Sequence, residues 1–148
     1  MLNDIQVLKQ SANSVWSPYK KGNVEAIEKA QKRATKLVIS SKTFSHTDRL
    51  VQLGLPTLEY RRLRGDMIEV FKIITYIIIY DHKVAPELIY NINKVTRGND
   101  FRLLKNRSHY DLRKFSFTNR IVNIWNSLSN AVVDVKFVEV FKYRRDNF

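Results

Sequence analysis

The stretch Phe117-Thr118-Asn119-Arg120-Ile121-Val122-Asn123-Ile124-Trp125-Asn126-Ser127-Leu128 sets large apolar side chains at 117, 121, 125 and 128. Steps of four, four and three follow the 3.6-residue turn, so these side chains share one face of a helix over about 117–128. Trp125 stands centrally on that face and is expected in the core. Downstream, a last helix over about 138–146 turns Phe141 inward and Lys142, Arg144 and Arg145 outward. Upstream the period changes. Phe101-Arg102-Leu103-Leu104-Lys105 and His109-Tyr110-Asp111-Leu112-Arg113 have strand-like content on either side of the polar Asn106-Arg107-Ser108. That pattern predicts a β-hairpin near 95–115.

Three more helices are expected towards the N-terminus. Pro56-Thr57 opens the longest, about 58–80, with Leu63, Met67, Val70, Ile74 and Ile77 or Ile78 as its stripe. Ser45 caps a short helix ending at Leu53, with Asp48 three residues on as a capping-box partner. Gly54 ends it in the left-handed conformation. Apolar positions Val24, Ile27, Ala30, Ala34, Leu37 and Val38 predict a helix over about 24–40, with Asn23 as its N-cap. The expected fold is mainly α, about five helices with one inserted β-hairpin. Residues 1–22 read as a connection and 23–148 as a single basic helical domain. The expected core comprises Trp16, Ile27, Ala34, Leu37, Leu63, Val70, Phe71, Ile74, Phe117, Ile121, Trp125, Leu128 and Phe141.

Composition narrows the chemistry. With no cysteine, thiol nucleophiles, disulfides and thiolate zinc sites are excluded. No Asp or Glu is adjacent to another, which argues against a two-metal centre built by this chain. His46, His82 and His109 lack metal-ligand spacing, and the glycines at 22, 54, 65 and 98 are too isolated to cradle a phosphate. Seryl and threonyl hydroxyls remain as nucleophiles the sequence does not exclude, but nothing positions a base beside one, so no catalytic residue is assigned and no cofactor is expected in this chain. The apolar run from Ile73 to Tyr80 is far shorter than the ~20 residues that span a bilayer, so no membrane partner is expected.

The charge is the outlier. Lys and Arg number 26 against 14 Asp and Glu, a net +12, which points to a polyanionic partner. Three clusters carry it: Lys29, Lys32, Arg33 and Lys36; Arg61, Arg62 and Arg64; and Arg97, Arg102, Lys105, Arg107, Arg113, Lys114 and Arg120 around the expected hairpin, opposed by Asp100 and Asp111 and interleaved with Phe101, His109, Tyr110 and Phe115. Cations bind phosphate and exposed rings stack on bases, so RNA and DNA are the expected partners, bound through the phosphate backbone without sequence preference. Because a hairpin would present them together, Arg102, Lys105, Arg107 and Arg113 are expected to carry most of the salt dependence. Two other classes fit the same composition: a basic amphipathic binder of membrane surfaces, and an inert helical domain.

Four blocks in order sharpen the reading: Ala12-Asn13-Ser14-Val15-Trp16-Ser17-Pro18-Tyr19; residues 27–36, Ile-Glu-Lys-Ala-Gln-Lys-Arg-Ala-Thr-Lys; residues 53–66, Leu-Gly-Leu-Pro-Thr-Leu-Glu-Tyr-Arg-Arg-Leu-Arg-Gly-Asp; and residues 119–128, Asn-Arg-Ile-Val-Asn-Ile-Trp-Asn-Ser-Leu. Their order resembles the region C-terminal to the polymerase domain in jockey-like non-LTR retrotransposon proteins, which are endonuclease–reverse transcriptases. The resemblance covers about residues 12–146. It implies an intracellular fragment, nuclear or cytoplasmic, from the thumb side of an RNA-directed DNA polymerase. In that family the catalytic aspartate pair lies upstream of the first block, so the resemblance implies no catalysis by this chain alone. It also implies the parent's polymerase domain as a partner.

Overall fold

The computed structural model describes residues 17–39, 43–75, 88–91 and 99–147. Among them the chain forms α1 (Lys21–Val38), α2 (His46–Gln52), α3 (Leu58–Thr75), α4 (Asp111–Lys114), α5 (Phe117–Ser127), α6 (Asn130–Val133) and α7 (Val138–Asp146). The segments α4 and α6 are single turns. The other five correspond to the five expected helices, and the mainly α class stands. Residues 1–16 with Trp16, and residues 76–80 of the expected 58–80 helix, lie outside the described residues. The chain divides into two compact units, Met1–Gly65 and Asp66–Phe148, with the boundary inside α3.

In the first unit α1 packs on α2. α1 starts three residues earlier than the pattern suggests. Lys20, extended at φ −72° and ψ 128°, is its N-cap, and its carbonyl accepts from the Asn23 and Val24 amides. Asn23 therefore lies inside the helix and does not cap it. At α2 the capping box is present: the Asp48 amide donates to Ser45 Oγ at 3.2 Å, and the Ser45 amide donates to Asp48 Oδ2 at 3.0 Å. Gly54, at φ 61°, closes the same helix. Its amide donates to the Val51 carbonyl and the Leu55 amide to the Leu50 carbonyl, a pair of bonds that satisfies carbonyls left open at the helix end.

The second unit holds the apolar core. Met67, Val70, Phe71 and Ile73 come from α3, and Phe117, Ile121, Val122 and Trp125 from α5. Leu103, Leu128, Val132, Val133 and Phe141 complete it. Phe141 stacks on Phe71 with ring centroids 4.4 Å apart and lies 6.0 Å from Trp125. Such aromatic pairs add about 0.5–1.5 kcal/mol beyond the area they bury. At the core's edge Arg120 grips Asp66 through two bonds of 2.9 Å, Nε to Oδ2 and Nη2 to Oδ1, tying α5 to α3.

Among the described residues the expected β-hairpin near 95–115 is not seen; its first positions, 95–98, lie outside them. Residues 99–115 contain no strand. Asp111–Lys114, the heart of its second arm, is a helical turn closed by the Lys114 amide on the Tyr110 carbonyl at 2.9 Å. The physical reason is that the first arm finds its partners elsewhere. The Leu103 amide donates to Asn126 Oδ1, and Asn126 Nδ2 returns a bond to the Leu103 carbonyl, both at 2.9 Å. Asn126 thus pairs with Leu103 much as a neighbouring strand would. Asn99 Nδ2 donates to the carbonyls of Trp125 and Leu128, and Asn130 exchanges bonds with Asp100. Trp125 Nε1 donates to the Phe101 carbonyl at 2.8 Å. On its other side Leu103 forms an isolated antiparallel bridge with Tyr90, upstream rather than downstream.

Candidate nucleic-acid interface

Lys29, Lys32, Arg33 and Lys36 are all exposed on α1. At about 100° per residue they fall within an arc of about 100°, and the seven steps from Lys29 to Lys36 span about 10 Å of axis. The opposite side of α1 carries Val24, Ile27, Glu28, Gln31, Ala34 and Thr35, all half-buried or buried. Two of these side chains fasten the helix. Glu28 Oε1 accepts the Glu59 amide at 2.9 Å, satisfying one of the open amides at the start of α3. Gln31 Nε2 donates to the Pro56 carbonyl at 3.1 Å. The docked face therefore fixes where the basic stripe points. Glu25 shares the stripe one turn earlier, leaving it net positive. Leu37, expected in the core, is 87% exposed instead. It sits closer to the basic stripe than to the docked face, a placement the three-and-four spacing alone does not resolve.

The second cluster is less available. Arg61, Arg62 and Arg64, on the first turns of α3, are half-buried. In the third cluster the side chains go separate ways. Arg120 is taken up by Asp66 and also lies over the Phe117 ring, 5.4 Å from its centroid. Arg102 is half-buried, and its carbonyl accepts the Asn91 amide. Lys105, Arg107 and Arg113 are exposed, as is Lys114 beside them. The structure therefore does not bring Arg102, Lys105, Arg107 and Arg113 together on a hairpin. Ion pairs among the described residues engage Lys72, Arg120, Lys142 and Arg145. None engages the α1 quartet, Lys105, Arg107 or Arg113.

The backbone under the 105–114 segment is held from below. Asn119, itself buried, donates through Nδ2 to the Arg113 carbonyl at 2.7 Å and to Ser108 Oγ at 3.4 Å. Ser116 Oγ also donates to the Arg113 carbonyl. Of the four interleaved rings, Phe115 is half-buried with Lys114 5.5 Å from its centroid, and Phe101 is 37% exposed. Tyr110 is 77% exposed. Sequence reading missed Arg49, which is 3% exposed, donates to the Phe44 carbonyl and leaves its Nε without a hydrogen-bond partner. Its place on a short polar helix gives no periodic signal of burial.

Among the described residues one carboxyl and one phenol are perturbed. Hydrogen bonds from the Ser45 side chain, then from its backbone amide, hold the Asp48 carboxyl below its ordinary value. Burial pushes the Tyr90 phenol up. Neither borders an arrangement of acid, base and nucleophile. Among the described residues no group of His, Asp and Glu could hold a metal ion, and no helix is long and apolar enough to cross a membrane. The chain matches no family model, no curated protein and no solved structure.

Proposed function

We propose that this chain binds RNA and DNA through their phosphates, as the post-polymerase, thumb-side region of a jockey-like non-LTR retrotransposon reverse transcriptase, without catalysis of its own. One observation supports the binding most directly: four exposed cations on α1, unpaired with carboxylates among the described residues, on a helix whose opposite face is fastened down. Each cation is open to a phosphate, and phosphate neutralisation releases condensed counterions whatever the base sequence. The family origin rests on the four sequence blocks, and it makes the parent's polymerase domain the second partner.

With the hairpin gone, the α1 quartet is expected to carry the larger share of the salt dependence, because its side chains already share one face. Changing Lys29, Lys32, Arg33 and Lys36 to Gln should flatten the slope of log affinity against log salt by up to about 3.6 for duplex DNA. Changing Arg102, Lys105, Arg107 and Arg113 should flatten it less. Titrations of duplex DNA at several salt concentrations, with both quadruple variants, decide the matter. Salt-independent binding by the unaltered chain would remove phosphate contact as the mechanism.

A further inference from the structure

We infer that the segment around Tyr110 is a stacking site for single-stranded nucleic acid, a second contact distinct from the α1 stripe. This deepens the phosphate-binding reading and rests on it. The argument starts from what the segment does with its side chains. Between Lys105 and Lys114 the cations Lys105, Arg107, Arg113 and Lys114 are exposed, with Asp111 the sole acidic residue among them. Tyr110 sits midway, 77% exposed, and its side chain makes no cap bond to α4. The ring thus contributes little to the fold and is surrounded along the chain by positive charge.

The segment is anchored from below at the Arg113 backbone, with a longer contact to the Ser108 side chain. Asn119 reaches Ser108 on one side of Tyr110 and the Arg113 carbonyl on the other. A tethered crest with an exposed ring ordered between cations has the two components that single-strand binding needs. The cations hold the phosphates and the ring takes a base face. A duplex offers phosphates but no open base face, because its bases are stacked on each other. The ligand class is therefore an unpaired strand of RNA or DNA, recognised without regard to base identity, since every base has a π face.

The test uses the full chain and three probes at low salt: an oligothymidylate strand, its duplex with oligoadenylate, and an abasic strand of the same length. Tyr110→Ala should weaken oligothymidylate binding about 5- to 140-fold, the range for losing one base–aromatic stack. Binding to the duplex and to the abasic strand should stay unchanged. Tyr110→Phe and Tyr110→Trp should retain strand binding, since either ring can stack. A far-ultraviolet spectrum matching the unaltered chain checks that the fold is intact. Unchanged oligothymidylate binding in Tyr110→Ala, or equal losses on all three probes, would overturn the stacking site while leaving the phosphate reading standing. Failure of the unaltered chain to bind any of the three would overturn both.

Discussion

Thirteen apolar residues between Met67 and Phe141 form one buried cluster in the second unit. In the first unit, among the described residues, Leu50 is the single apolar side chain in the buried class, accompanied by Thr35 and Arg49. What fastens the first unit instead is a set of side chain to backbone bonds: Glu28 to Glu59, Gln31 to Pro56 and the Ser45–Asp48 box. A typical hydrogen bond contributes a net ~0.5–1.5 kcal/mol. Full burial of a large apolar side chain contributes about 1.5–3 kcal/mol. Among the described residues the second unit therefore holds most of the buried apolar side chains, and the first leaves a charged helix face open.

The sharpest way to break this contrast is Trp125→Ala. Trp125 is fully buried, contacts Phe141 and donates to the Phe101 carbonyl. Its loss should cost about 3–5 kcal/mol and remove cooperative unfolding of the second unit, read by thermal melting. An unchanged melt would mean that the core is not where the stability lies. A smaller effect of opposite sign is expected in the first unit. Arg49 buries a guanidinium that closes an ion pair with no carboxylate among the described residues, the charge of neighbouring Asp48 acting on it only weakly and through space. Arg49→Met should be neutral or stabilise by roughly 1 kcal/mol, since a hydrophobic side chain avoids the desolvation cost of the charge. Urea unfolding of the full chain reads it. A loss above about 2 kcal/mol would show that the bond to Phe44 holds that unit together.

The smallest expected effect is acid sensitivity at the start of α2. The folded Asp48 carboxyl titrates below its ordinary 3.8 because Ser45 bonds to the charged form. The contribution of the box is thus present above the unfolded value and lost as pH falls through the lower, folded one. The Ser45 amide resonance should shift with a midpoint below 3.8, and Asp48→Asn should abolish that shift. A midpoint at or above the ordinary value would mean the box is absent in solution.

Features written in nearest neighbours were legible in the sequence. The five longer helices, the Ser45–Asp48 box, the left-handed Gly54 and the burial of Trp125 all follow from spacing or local residue type. Features that depend on a distant partner were not. Nothing in the periodicity of 99–105 says that Asn126 and Asn130 will take up its backbone groups, so its strand-like content points to a hairpin that the structure replaces with side-chain pairing. The same limit applies to the basic residues. Exposure of Lys29, Lys32, Arg33 and Lys36 could be expected from helix spacing. That Arg120 would close on Asp66, fifty-four positions away, could not. Leu37 shows the converse, an apolar residue at a plausible helical interval that the docking of α1 by Glu28 and Gln31 turns outward.

The stacking of Phe141 on Phe71 also sets an order of events during synthesis. The two rings are 70 positions apart, and Phe141 belongs to α7, the last helix among the described residues. At roughly 5–20 residues added per second, Phe71 and Met67 are made about 4–14 s before their final cover exists. The capping box and the α1–α2 pairing need nothing beyond the first unit. A nascent chain therefore carries an unsealed greasy surface for seconds, behind a segment already able to form its own helices. A translational pause anywhere between the two rings would lengthen that exposure by its own duration.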